Sequence, residues 1–224
     1  MAYLNEAQHK IVSDAVEAAE LSTSGEIVTV LADRSDGYSD VTMVYAAAAA
    51  FTAMSLFAFF PAPFMELWDS IIGGWMHEWS IGEIASMTIA LGLIAFTVTW
   101  LIFLWEPLKF FAIPGPVKLQ RVHKQAIKHF KVGAEARTHG RTGILIYLSM
   151  SEHRAEIVAD KPIATKVSAD VWGEAMADML VEIKKGAIAE GMAAGVRDVG
   201  AVLSDHFPRA DDDENELPDR LIEV

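Results

Sequence analysis

Two long stretches without a charged residue constrain the fold of this chain more than any other feature. Val41 to Met65 contains no Asp, Glu, Lys or Arg, and neither does Ile84 to Trp105. A helix needs about 20 apolar residues to cross the hydrocarbon core of a bilayer. We therefore predict a two-helix transmembrane hairpin at residues 41–107. The alternative is a pair of buried core helices in a soluble domain.

The distribution of basic residues predicts how this hairpin is oriented. The connection between the two stretches has no Lys or Arg, and its tryptophans favour a membrane interface. The basic residues that follow the second stretch are Lys109, Lys118, Arg121, Lys124, Lys128, Lys131, Arg137 and Arg141. By the positive-inside rule, we expect a multi-pass protein of the bacterial inner (plasma) membrane with both termini in the cytoplasm.

Composition excludes several classes of partner and chemistry. The formal net charge of -13 argues against a nucleic-acid partner, since a phosphate-binding surface needs clustered Lys and Arg. The chain has no cysteine, which rules out disulfides, thiolate catalysis and Cys-based metal sites. Any chemistry must therefore use histidines, carboxylates, hydroxyls or a hard metal ion.

A strand pattern precedes the hairpin, and its best partner follows the hairpin. GEIVTVLADRSDGYSD, from residue 25, has β-branched residues that end at a polar turn, and GILIYLSM at 143–150 reads as a buried strand. Because both ends of the hairpin emerge on one side, the two strands can be parallel neighbours in one domain, joined by a helical crossover. RAEIVAD, from residue 154, predicts a returning antiparallel strand.

Helical periodicity completes the predicted domain. Apolar residues recur at helical spacing from Leu4 to Ala19 and from Leu119 to Phe130, and two further helices are predicted between Ser168 and Phe207. The predicted fold class is α/β, a small α/β sandwich with a mixed sheet of three or four strands, interrupted by the hairpin. Its parts are residues 1–40, the hairpin at 41–107, residues 108–207 and an acidic tail at 208–224.

Several of these segments together resemble the TPM-domain family, particularly bacterial membrane members with a hairpin inserted after the first strand. The resemblance is carried by TSGEIVTVLADRSDGYSD, RTGILIYLSMSEHRAEIVADKPI, the VW pair at 171–172 and FPR followed by NELPDRLIEV. It implies a Rossmann-like domain. It also implies acid phosphatase activity or calcium binding, as described for some members, or maintenance of a membrane complex, with a LemA-type membrane protein as a candidate partner. Many soluble members have a Gly-rich turn where this chain has Asp160-Lys161-Pro162.

The candidate metal ligands are aspartates in the turn after the first strand. Asp33, Asp36 and Asp40 lie where the carboxyl end of a parallel strand usually faces a ligand, and Asp160 ends the returning strand. Spaced carboxylates can supply oxygen ligands to Ca²⁺ or Mg²⁺, which could in turn hold a phosphate. The alternative is a solvated turn with no metal.

Two charged segments suggest interactions of other kinds. A basic cluster just after the hairpin favours anionic lipid, or is simply a solvated helix face. Its residues are Lys118, Arg121, Lys124, Lys128 and Lys131. The acidic tail is expected to be disordered up to its apolar end, where Leu221, Ile222 and Val224 could dock on a partner or on the domain.

No P-loop, dinucleotide fingerprint, zinc-protease motif or phosphatase nucleophile motif occurs in the sequence. The leading functional prediction is therefore a non-catalytic inner-membrane protein whose cytoplasmic domain binds another membrane protein complex and supports its assembly or maintenance. The alternative is a divalent-metal-dependent acid phosphatase that acts on phosphomonoesters through Asp33, Asp36 and Asp40.

Overall fold

The computed structural model of the protein describes residues 3–72, 78–133, 142–210 and 215–224. The chain divides into two compact units, Met1–Asp36 with Gly115–Val224, and Gly37–Pro114. The first unit is thus assembled from segments on both sides of the second. In chain order the elements are α1 (Glu6–Glu20), β1 (Glu26–Ala32), α2 (Ser39–Phe59), α3 (Pro61–Ile72), α4 (Ile81–Ile102), α5 (Glu106–Ala112), α6 (Gly115–Gly133), β2 (Gly143–Ser149), β3 (Arg154–Ala159), α7 (Lys161–Lys166), α8 (Ala169–Lys184), α9 (Ile188–His206) and β4 (Ile222–Glu223).

The first unit is built on a four-stranded mixed sheet in the order β3-β2-β1-β4. β1 and β2 pair in parallel, from Glu26 opposite Gly143 to Ala32 opposite Ser149. β3 runs antiparallel to β2, while β4 lies parallel to β1 on its other side. The parallel pairing of β1 with β2 confirms the predicted α/β fold, in which the strand before the hairpin finds its partner after it.

Helices cover both faces of this sheet. Ile27 and Leu31 of β1 point into a core that they share with residues of α1, α8 and α9. Val28 and Val30 point the other way, into a core with Val122 and other residues of α6. A strand buried on both faces needs apolar residues at nearly every position, which is why β1 and β2 lack an apolar-polar alternation.

Helix α1 is fixed at its start by a cap and near its end by close packing. The Asn5 side chain accepts a hydrogen bond from the Gln8 backbone amide, and the Gln8 side-chain oxygen accepts one from the Asn5 backbone amide, as in a capping box. Near the other end, a Cβ on Gly200 of α9 would lie 2.6 Å from the Cβ of Ala19. A glycine is therefore required for α9 to approach α1 this closely.

The end of the acidic tail docks on the domain, which was one of the two predicted alternatives. Leu217 and Leu221 are buried, and Ile222 with Glu223 forms β4. The Val224 amide donates to the Leu31 carbonyl at 3.0 Å. The expectation of disorder up to the apolar end is wrong at Leu217, which already packs into the α6-side core; residues 211–214 lie outside the described part of the chain.

The second unit contains the two apolar stretches. Helices α2 and α4 are both long and apolar enough to cross a membrane, with mean hydropathies of 1.7 and 1.9. Helix α2 ends at Phe59, earlier than the uncharged stretch does, because Pro61 begins the new helix α3. Part of the tryptophan-containing connection between the two stretches, residues 73–77, lies outside the described residues.

Candidate functional site

The carboxyl ends of β1 and β2 form the candidate site in the first unit. Ligands of open α/β sheets usually bind beyond this end of the parallel strands. The chain leaving β1 stays attached to the chain leaving β2, since the Met150 amide donates to the Ala32 carbonyl at 3.0 Å and the Ser151 amide to the Asp33 carbonyl at 2.9 Å. The loops after both strands therefore line one edge of the sheet.

A buried polar network connects these two loops. The Ser35 amide donates to Glu152 Oε1 at 2.9 Å, and the Ser35 hydroxyl lies 3.1 Å from the Ser149 hydroxyl. Ser149 also donates to Glu152 Oε2. The Tyr147 hydroxyl completes the network, 3.1 Å from the Ser35 hydroxyl. Because Ser149 and Glu152 are almost fully buried, each bond replaces water that these groups have lost.

Burial favours the neutral forms of two rings at this network, those of Tyr147 and His129. Burial raises the pKa of the Tyr147 phenol, although its hydrogen bond to Ser35 acts in the opposite direction. His129 of α6 stacks on the Tyr147 ring with centroids 5.7 Å apart. Burial, with help from the charge of Lys128, lowers the pKa of His129. Both rings thus act as uncharged packing groups near neutral pH.

The structure places two of the predicted metal ligands at this edge, each with a partner of its own. Asp33 accepts hydrogen bonds from the Tyr3 hydroxyl and, at 3.1 Å, from Arg34 Nε. Asp36 accepts one from Arg121 Nη1 at 2.8 Å. These carboxylates therefore hold the N-terminal segment and α6 against the turn that follows β1.

The other two predicted ligands lie elsewhere. Asp40 is in the first turn of α2 and so belongs to the second unit. Asp160 follows β3, which runs antiparallel, and its Oδ2 accepts the Gly143 amide at 3.1 Å at the start of β2. The length of the strands separates Asp160 from Asp33 and Asp36, so it does not join a site with them. Among the described residues, no group of three His, Cys, Asp or Glu side chains is placed to hold a metal ion.

The predicted basic cluster divides into two sets on α6. Arg121 is half-buried and forms its ion pair with Asp36, and Lys118 is also half-buried. Lys124, Lys128 and Lys131 are exposed. Their spacing of four and three residues places them on one face of the helix. These three exposed lysines are the part of the basic cluster that is not buried within the domain.

Sequence reasoning missed Ser35, Tyr147, Ser149 and Glu152. Tyr147 and Ser149 lie inside an apolar run, and nothing in the sequence marks them as functional except that they are polar residues in a strand predicted to be buried. Glu152 lies in a turn whose sequence is not distinctive. On the neighbouring strand β3, Glu156 Oε1 lies 2.7 Å from His123 Nδ1. Helix α6 packs on this face of β3 and brings His123 within reach.

The fold and the site define a class: a three-layer α/β domain with a closed polar network at the carboxyl edge of its parallel strands. Residues 117–202 match the family model of the TPM domain. A solved structure with a similar fold is the NMR structure of BA42 protein from the psychrophilic bacterium Bizionia argentinensis, at 19% sequence identity and a TM-score of 0.55. The similarity covers 100% of this chain and 97% of that chain. No curated protein matches the chain.

Proposed function

We propose that this is a multi-pass protein of the bacterial inner membrane, with both termini in the cytoplasm, whose TPM domain is non-catalytic. In this proposal the domain binds another membrane protein complex and supports its assembly or maintenance. The observation that carries it is the internal bonding at the carboxyl edge, where Asp33, Asp36 and Glu152 each bind groups of the domain itself. These hydrogen bonds connect the loops after β1 and β2 to each other and attach α6 to the loop after β1.

The membrane part of the proposal is supported by the second unit. Large apolar side chains are exposed along α2 and α4, among them Phe51, Phe59 and Leu93. Side chains of this kind are stable in contact with lipid and costly in water. The absence of Lys and Arg between the helices, and their abundance after α4, support cytoplasmic termini.

The topology is tested by cysteine labelling, because the native chain has no cysteine. Ser168→Cys and Ser70→Cys place single thiols on exposed positions of the first and second unit. A membrane-impermeant maleimide, applied to spheroplasts whose inner membrane is intact, should label the cysteine at position 70. The cysteine at position 168 should stay unlabelled until the membrane is permeabilised. The opposite pattern would contradict the proposed orientation.

The functional proposal is tested in cells and with the purified protein. Deleting the gene should lower the level of a membrane complex that copurifies with the tagged chain in mild detergent, and the wild-type gene should restore it. A LemA-type membrane protein is a candidate component to look for. The Asp33→Asn, Asp36→Asn, Asp40→Asn triple variant tests the alternative: if the wild type hydrolyses a phosphomonoester with Ca²⁺ or Mg²⁺ and the folded variant does not, the protein is a phosphatase.

A further inference from the structure

Strand β3 is an edge of the sheet. It stands last in the order β3-β2-β1-β4 and pairs with β2 on one side only. The Asp160 amide donates to the Gly143 carbonyl at 2.9 Å, and successive residues of a strand turn their backbone groups to opposite sides. The amide and carbonyl groups of Ala155, Ile157 and Ala159 therefore point away from β2. In the part of the chain that the structure describes, these groups have no hydrogen-bond partner.

This edge lacks the features that usually prevent a sheet edge from pairing with another strand. Proline, lysine and β-bulges are the common means of blocking an edge. Strand β3 contains neither Pro nor Lys, and its pairing with β2 runs without a bulge from Ala159 opposite Ile144 to Arg154 opposite Ser149. All six residues of β3 keep part of their surface exposed. The edge can therefore accept a further strand.

An exposed apolar side chain lies beside the same strand. His123 of α6 contacts Glu156 of β3, with 2.7 Å between Nδ1 and Oε1. Leu119 lies one turn before His123 on the same side of α6 and is 49% exposed. Burial of this leucine would favour association at the edge. The surface around β3 thus offers both unpaired backbone groups and apolar area.

We propose that β3 pairs in antiparallel fashion with β3 of a second copy of this chain, so that two sheets become one continuous sheet across a two-fold axis. With Ile157 on the axis, Ile157 lies opposite itself and Ala155 lies opposite Ala159 of the second copy. These residues turn their backbone groups outward, so about six hydrogen bonds form. A pairing centred on Ala155 would have to continue through His153, whose φ of 52° places it in the turn before β3. A pairing centred on Ala159 would run into α7.

The side chains of β3 are complementary to themselves in this register. Glu156 lies opposite Val158 of the second copy, and Arg154 lies opposite Asp160. No like charges therefore face each other, which would destabilise the pair. The two Ile157 side chains meet at the rim of the core that each packs against. An isologous two-fold interface requires a surface that matches itself, and this match favours a second copy over an unrelated strand.

The two-fold axis also suits two copies in one membrane. An axis that relates the two halves of a continuous antiparallel sheet is perpendicular to the sheet. Val122 and Ala126 of α6 pack on the sheet, while Lys124 and Lys128 follow two residues later, about 200° around the helix, and point away from it. A bilayer that meets these lysines, as expected from the sequence, lies parallel to the sheet. Both copies then meet it from the same side.

The test is the protein mass of the full chain in mild detergent, measured by size-exclusion chromatography with light scattering that separates protein from detergent. We expect twice the chain mass of 24.5 kDa for the wild type. Ala155→Pro removes an outward amide and leaves the hydrogen bonds to β2 in place, so it should abolish the dimer. Ala155→Ser keeps the amide and should remain dimeric. If Ala155→Pro does not fold, Ala159→Pro replaces it with the same expectation.

The register is tested by a disulfide, because the native chain has no cysteine. The Cα atoms of the two Ile157 residues would be about 5.5 Å apart, within the range of a disulfide. Ile157→Cys should therefore form a covalent dimer on oxidation, and Val132→Cys, at an exposed position of α6, should not.

Three results would overturn the proposal. A monomeric wild type would leave the edge of β3 to a strand of another protein. A dimer that persists in the folded proline variant would place the interface elsewhere, for example in the apolar helices. Failure of Ile157→Cys to form more covalent dimer than Val132→Cys would exclude the pairing centred on Ile157.

Discussion

Arg121 of α6 donates a hydrogen bond to Asp36 across 2.8 Å, although 85 positions of sequence separate the two residues. Asp36 is the last residue of the first unit before the apolar helices, and Arg121 lies in the first helix after them. The ion pair therefore closes the domain at the place where the second unit is inserted. It also takes Arg121 out of the group of basic residues that are free to meet lipid.

This ion pair should contribute modestly to stability. Both side chains are about 30% exposed, so we expect a coupling of about 0.5–1 kcal/mol in a double-mutant cycle of Arg121→Met and Asp36→Asn. The measurement is pulse proteolysis of the full chain in micelles across a denaturant series, with segment 118–207 as the readout. A coupling of zero would mean that the pair is an incidental surface contact.

Much of the fold follows from local pattern. Val28 and Ile146 belong to apolar runs long enough for strands that are buried on both faces. Because a helix connects the two strands, they are expected to pair in parallel. Strand β4 could not be predicted in the same way, because two residues of tail carry no periodicity. Glu20 and Glu26 each accept a backbone amide, and these roles were missed for a related reason. In the sequence, each is a charged residue at the end of a helix or the start of a strand. The tail that covers them in the structure lies nearly 200 positions away in the sequence.

The docked tail should stabilise the domain through its buried leucines. Leu221 is 4% exposed, so Leu221→Asp buries an unpaired carboxylate and should cost on the order of several kcal/mol. Val224→Asp is the matched control, since Val224 is 54% exposed and should tolerate the same change. Limited proteolysis of segment 118–207 distinguishes them. Equal resistance of the two variants would mean that the tail is not part of the core.

Burial raises the pKa of Glu20, which makes stability depend on pH. Its folded pKa of about 8 lies above the usual 4.5, so the folded state keeps a proton that the unfolded chain loses. The free energy of unfolding should therefore fall as pH rises from about 4.5 to 8, with a contribution from this group of up to about 1.4 kcal/mol per pH unit. Other groups titrate in this range, and the decisive quantity is the difference between the wild type and Glu20→Gln. A difference that does not change with pH would contradict the assignment.

The exposed lysines of α6 should draw the domain towards anionic lipid. A single cysteine at Gln120, labelled with an environment-sensitive dye, should report a more apolar environment in nanodiscs with anionic lipid than in neutral ones. Substituting Lys124, Lys128 and Lys131 by alanine should remove this difference, since each basic residue near the surface contributes roughly 1 kcal/mol. Alanine at Lys184 and Lys185, exposed at the end of α8, is the control. If the difference between anionic and neutral nanodiscs persists in the triple variant, the three lysines do not bind anionic lipid and form an ordinary solvated face of α6.

The central claim is that segments on both sides of the apolar helices fold as one domain, and Val30 tests it most directly. Val30 is 1% exposed in β1 and lies opposite Tyr147 of β2. Val30→Asp buries an unpaired carboxylate in the sheet, which can remove most of the stability of a small domain. Val132→Asp, at an exposed position of α6, is the control.

The measurement is limited proteolysis of membranes that carry each variant. In Val30→Asp, segment 118–207 should become sensitive to protease while the apolar helices remain in the membrane, and in Val132→Asp it should stay resistant. If 118–207 is as resistant in Val30→Asp as in the wild type, the two parts of the chain fold independently and the account of a divided domain is wrong.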